Sequence, residues 1–130
     1  MIQNQVLIKA MGGFHDSDLK EIQFDLQSKR LVLKVDDIYA NFGGGPDYKG
    51  LISGYLTMSQ VCSFVVEMET SIVTFYDWEI TQIRDGAFRS VITFSPTGKI
   101  TFECEQVSLI ENCQGGNGVS VPKALIENEK

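Results

Sequence analysis

A single histidine, a single tryptophan, three prolines and three cysteines are all this 130-residue chain holds of the residue types that most often carry chemistry or punctuate structure. One imidazole, His15, excludes multi-histidine metal sites and leaves one side chain for acid–base work near neutral pH. The cysteines, Cys62, Cys104 and Cys113, are odd in number and form no CxxC pair, so reduced thiols in a cytoplasmic compartment are expected rather than a disulfide framework. No apolar run approaches the ~18 residues of a membrane span, and Met1 to Lys9 has no basic segment leading into an apolar stretch, so neither insertion nor export is expected. Basic residues are also scarce. Eleven stand against seventeen acidic ones, giving a net charge of −6, and only Lys29 and Arg30 are adjacent. No stripe exists that could neutralise several phosphates, so direct nucleic-acid binding is not expected. The Walker lysine pattern and GxGxxG are absent too, and no cofactor is expected.

What is present is ordinary globular composition. Apolar residues make up 43% and charged residues 22%, and a chain of this length removes roughly two thirds of its surface from water on folding. One core suffices. Residues 1–118 are expected to form a single domain, and residues 119–130, with Pro122 and a charged end, a loose tail.

The apolar residues alternate with a period of two. Ile22, Phe24 and Leu26 share one phase against Glu21, Gln23 and Asp25; Leu31, Leu33 and Val35 follow against Val32, Lys34 and Asp36, and the polar stretch from Gln27 to Arg30 is short enough to close a hairpin. Cys62, Phe64, Val66 and Met68 share a phase downstream. Phe88, Ile92 and Phe94 alternate against Arg89 and Thr93, and Ile100, Phe102 and Cys104 against Thr101, Glu103 and Glu105. Between these last two runs, Pro96 presets φ and Gly98 accepts positive φ, which predicts a hairpin with Phe94, Ile92, Ile100 and Phe102 facing the core. Further strands are predicted near Gln5 to Lys9, Ser53 to Ser59 and Ile72 to Ile83. With about eight strands and no sustained helical period, the predicted class is all-β, an antiparallel sandwich with a small β-barrel as the alternative.

Few constellations could carry chemistry. His15 beside Asp16, with Asp18 near, could form an oriented base, with Cys113 as a conceivable nucleophile, but nothing in the sequence supplies an oxyanion hole or brings the groups together, and the preferred reading is that the Asp and Ser side chains here shape a polar turn entering the first strand. Asp16, Asp18, Asp36, Asp37 and Asp47 could gather as oxygen ligands for calcium, although no segment has the spacing of a calcium loop. The most unusual composition is Asn41-Phe42-Gly43-Gly44-Gly45-Pro46-Asp47-Tyr48. Its glycines free the backbone to approach a partner and its aromatics supply contact area, so Phe42, Gly43, Gly44, Gly45, Asp47 and Tyr48 are the expected binding residues. Cys62 and Cys104 fall on apolar phases and are expected in the core, Cys113 at a strand end near solvent. Trp78 is expected in the core.

Phe14, His15, Asp16 and Ser17, opening onto an alternating strand, a polar turn and a second alternating strand, resemble the start of several families of small bacterial β-rich proteins. Some of these look like immunity proteins of contact-dependent or polymorphic toxin systems. The resemblance covers the first third of the chain and carries over no functional residue; it implies a non-catalytic binder that blocks a toxin. The expected function is therefore a protein-binding module; the net negative charge would steer in a basic partner, although it reads first as a route to solubility. The alternative is a small enzyme or ligand-binding β-scaffold with a pocket near His15 and its neighbouring acids.

Overall fold

Leu31, Leu33 and Val35 are completely buried while Val32 and Lys34 between them are half-exposed, the signature of a strand with one face on a core. The computed structural model describes residues 4–70 and 72–112. A helix, α1 (Asn4–Ala10), and a tight turn (Gly12–Phe14) precede eight strands: β1 (Asp18–Asp25), β2 (Arg30–Asp36), β3 (Ser53–Ser59), β4 (Ser63–Glu67), β5 (Val73–Arg84), β6 (Ala87–Ser95), β7 (Lys99–Cys104) and β8 (Gln106–Asn112). The chain is all-β. The strands form one open antiparallel sheet in the order β4-β7-β6-β5-β1-β2-β3-β8.

That sheet is folded on itself in sandwich fashion. Phe24 on β1 and Phe64 on β4 are four strands apart in the sheet order, which would separate them by roughly 19 Å if it were flat. Their ring centroids are 4.8 Å apart. Two features produce the fold. β1 and β5 pair only through Asp18↔Thr74 and Leu19↔Val73, a narrow seam. At the far side, β3 turns into β4 through Gln60, at φ 55°, while β7 turns into β8 at Glu105. Hydrogen bonds from Cys62 N–H to Glu103 O and from Glu105 N–H to Ser59 O, both 3.0 Å, carry the ladder around that corner.

The aromatic residues of the core gather on β5. Phe75 pairs with Phe94 and Asp77 with Thr93, leaving Tyr76 as the extra residue of a bulge. The bulge shifts the phase, so Phe75 and Trp78, three positions apart, both turn inward. Phe14 meets the two of them at ring distances of 6.2 and 5.9 Å. The predicted second hairpin is present, with Ile92 opposite Ile100 and Val91 opposite Thr101; Ile92, Phe94, Ile100 and Phe102 are buried, and Phe94 N–H bonds to Gly98 O across the turn.

Three expectations need correction. Gln5 to Lys9 is not a strand but part of α1, because Leu7, Ile8 and Met11 fall on one helical face and pack on the core, while Lys9 in the last turn suits the helix dipole. Leu26 does not face the core and is 80% exposed. The Asp25 carboxylate accepts hydrogen bonds from Gln27 N–H (3.2 Å) and Ser28 Oγ (2.8 Å), which ends β1 at Asp25 and makes Leu26 a turn residue. Cys62 is exposed, since it lies in the corner before β4 begins, where period-two extrapolation breaks. Cys104 is buried as expected, and both are free thiols. Cys113 and the tail 119–130 lie outside the described residues.

The two described thiols should therefore react differently. Burial pushes the Cys104 thiol up to about 12, whereas Cys62 meets solvent. In a Cys113→Ser background, native protein should label at Cys62 promptly and at Cys104 on the order of a hundredfold or more slowly, since the thiolate is the reactive form. Denatured wild-type protein without reductant should titrate three thiols. Equal labelling of Cys62 and Cys104 in the native state would contradict this placement.

Candidate functional site

The glycine-rich segment hangs between β2 and β3 on a closed base. Asp37 adopts φ 55° and turns the chain, Ile38 inserts fully into the core, and Ile38 N–H bonds to Ile52 O at 2.9 Å. Tyr39 is also buried; its hydroxyl donates to the Glu111 carboxylate, and Lys49 Nζ lies 5.2 Å from its ring centroid, within cation–π range. The loop then proceeds by short backbone bonds, Gly43 N–H to Ala40 O, Gly45 N–H to Phe42 O and Tyr48 N–H to Gly45 O. It is an ordered turn series rather than a slack connector.

The six expected binding residues divide. Gly43, Gly44, Gly45 and Asp47 form an exposed apex, and Gly43, Gly45 and Asp47 line a hollow of about 290 Å³ with Asn41, Phe42 and Pro46. Phe42 and Tyr48 are half-buried and pack against the core. Tyr48 Oη donates to Asp37 Oδ1 at 3.1 Å, pinning the end of the loop to its start, and burial together with that carboxylate raises the phenol above its usual pKa. The apex is available for contact; the two aromatics mainly hold it up.

Beneath the loop lies an acidic rim. Asp18 and Asp36 are direct partners across β1 and β2, at the end of β2 from which the loop departs. Leu19 and Val35 beside them face the core, so the two carboxylates share the outer face. Among the described residues neither makes an ion pair. Asp37 follows, with Ser17 Oγ donating to its carbonyl at 2.9 Å. His15 stands at the same end, half-exposed, its Nδ1 3.3 Å from Asp16 Oδ2 and its ring 5.8 Å from that of Tyr76. The His15–Asp16 contact exists, but Cys62 and Cys104 lie at or near the β3–β4 corner and Cys113 lies outside the described residues. Among the described residues no group of three or more His, Cys, Asp or Glu side chains is placed to hold a metal ion.

Compared with protein-family models, curated proteins and solved structures, the chain matches none.

One feature escaped the sequence reading. A cleft of about 590 Å³ lies between α1, the Gly12–Gly13 turn and β5, with Trp78 and Ile80 in its lining. Trp78 reads from sequence as core, which it is, at 7% exposure. Only the Gly12–Gly13 pair hinted that backbone comes close to something there.

Proposed function

We propose that this protein is a non-catalytic binding module that captures a basic protein partner on the acidic end formed by the glycine loop and the rim below it, in the manner of a cytoplasmic immunity protein. The observation that carries the reading is the Asp18↔Asp36 pair. Like charges placed directly opposite on neighbouring strands destabilise a sheet, and neither of these carboxylates makes an ion pair among the described residues. Repulsion kept at the surface favours an incoming positive group, and the net charge of −6 steers such a partner over longer range. The exposed Gly43–Asp47 apex adds a contact surface above the carboxylates.

The test sets binding against stability. Asp18→Asn with Asp36→Asn should leave the fold intact and raise its stability by about 0.5 kcal/mol, because repulsion is removed. Immobilised wild-type protein, exposed to a lysate of its source cells, should retain a basic protein that elutes as salt is raised. The double variant should retain it at least tenfold less well. Equal retention by both forms would overturn the reading. Asp47→Asn tests the apex more cleanly than Phe42→Ala or Tyr48→Ala, since those aromatics also pack on the core.

A further inference from the structure

The sheet has two ends, and the fold treats them differently. At one, β8 has α1 packed against it. At the other, β4 pairs with β7 from Ser63↔Glu103 to Glu67↔Lys99 and has no strand on its far side among the described residues. A ladder uses the N–H and C=O groups of every second residue, so the alternate set on β4 points away from β7. Residues 63–67 make no backbone bond outside that ladder, and these groups are left as an unpaired strand edge.

The edge is open as well as unpaired. Phe64 and Val66 share the core face, because their ladder partners Phe102 and Ile100 are completely buried. Val66 is nevertheless 38% exposed, since no strand flanks it beyond β4, and Val65 on the outer face is 50% exposed. Soluble proteins blunt such an edge with lysine, proline, a bulge or a covering segment. β4 reads Ser-Phe-Val-Val-Glu and pairs with β7 without a break in register; its five-residue length is the one restraint on it.

The sequence of the strand says what fits there. Two identical strands pair antiparallel about a two-fold axis that passes between one residue and its own equivalent. With that residue at Val65, the centre of β4, Val65 meets Val65 of the second copy, Phe64 meets Val66 and Ser63 meets Glu67. Each apolar side chain then lies opposite an apolar one, and the single charge opposes a hydroxyl rather than another carboxylate. The same operation on β8, centred on Leu109, sets Val107 against Glu111 and Ser108 against Ile110.

We propose that β4 is a self-association edge, through which two copies of the chain join antiparallel about an axis at Val65 into a closed dimer. The surface uses no residue of the acidic rim or the glycine loop, and it does not rest on the partner proposed for them. An interface built on so short a strand belongs to the weak class.

Sedimentation velocity on the full-length protein in reductant, from about 10 μM to 1 mM, should show monomer giving way to dimer and to nothing larger, since pairing consumes both β4 edges. Val65→Lys places two ammonium groups across the axis and should raise the dissociation constant about tenfold. Val65→Glu should do the same, and an equimolar mixture of the two variants should form a heterodimer at a concentration where neither associates alone. Val65 is exposed, so both variants should fold, which far-ultraviolet circular dichroism checks. Leu51→Lys, at an exposed apolar residue outside the strands, should leave association unchanged. A single monomeric species at every concentration would overturn the proposal, and so would assembly beyond two copies. Equal weakening by Leu51→Lys would reduce the association to general apolar adhesion. A mixture that associates no better than its two components would remove the axis from Val65 and overturn the pairing.

Discussion

Replacing Phe75 with alanine should lower the unfolding free energy by about 3–5 kcal/mol, more than a surface substitution anywhere in the chain. Phe75 is fully buried, and its ring lies 6.2 Å from Phe14, 6.4 Å from Trp78 and 5.1 Å from Phe94. Truncation removes contacts to the N-terminal turn, to the next inward residue of its own strand and to β6 together. The surrounding backbone cannot collapse into the space, because Phe75 N–H donates to Ser17 O and its carbonyl accepts Asp16 N–H, both within 2.9 Å. In a domain whose whole stability is about 5–15 kcal/mol, the midpoint of thermal unfolding should fall on the order of 10–20 °C. Leu26→Ala is the control: the same kind of truncation at an 80%-exposed turn position should change stability by less than about 0.5 kcal/mol. Denaturant unfolding of both variants decides the matter, and a loss below about 1 kcal/mol for Phe75→Ala would mean that the aromatic cluster does not organise the core.

The second large effect is expected at Gly12. It adopts φ +64°, where a residue with a Cβ costs about 1–2 kcal/mol, and a Cβ placed there would sit 2.1 Å from Asn41 Nδ2 and 2.7 Å from Asn41 Cγ. Gly12→Ala should therefore cost about 2–3 kcal/mol, the sum of backbone strain and the displacement of Asn41. Two neighbours separate the contributions. Gly13, at φ +67°, would bring its Cβ to 3.5 Å from Trp78 Cβ, an ordinary contact, and Gly44, at φ +82°, meets nothing within 4 Å. Alanine at either position should show the backbone cost alone. In an Asn41→Ala background the cost of Gly12→Ala should shrink toward theirs, a coupling that a double-mutant cycle measures directly. No coupling would mean that the N-terminal turn does not dock against the glycine loop, and that the loop is positioned by its own base alone.

Much of the architecture was legible because one physical signal dominates it. β2, β6 and β7 have one face in the core and one toward water, so Leu31, Leu33, Val35, Ile92, Phe94, Ile100 and Phe102 announce their strands by simple alternation. Turn chemistry was readable where Pro96 and Gly98 join β6 to β7, whereas the Asp25–Ser28 contact that closes the first hairpin one residue early was not. The signal failed where the period changes. A bulge at Tyr76 puts Phe75 and Trp78 on the same face, and a shift in pairing between Leu19 and Glu21 does the same for Leu19 and Ile22. Val6 and Ile8 alternate like a strand and yet belong to a helix, because seven residues are too few for period alone to separate the two.

The candidate sites follow the same division. The composition of the glycine loop marked it from sequence as a contact surface, but only the packing shows Phe42 and Tyr48 turned toward the core and the exposed contact area reduced to the apex. Asp18 and Asp36 lie eighteen positions apart and become neighbours only through the register of β1 on β2. The sequence by itself determined the class of the fold, the phase of the regular strands, the scarcity of catalytic side chains and the negative charge, since each is a property of composition or of nearest neighbours along the chain. The tertiary structure alone decided which carboxylates face each other, that the sheet folds across a two-residue seam, and that a cleft remains between α1, the Gly12–Gly13 turn and β5, because all three depend on which segments meet and at what register, and pairing between distant segments is chosen by the packing of the whole core.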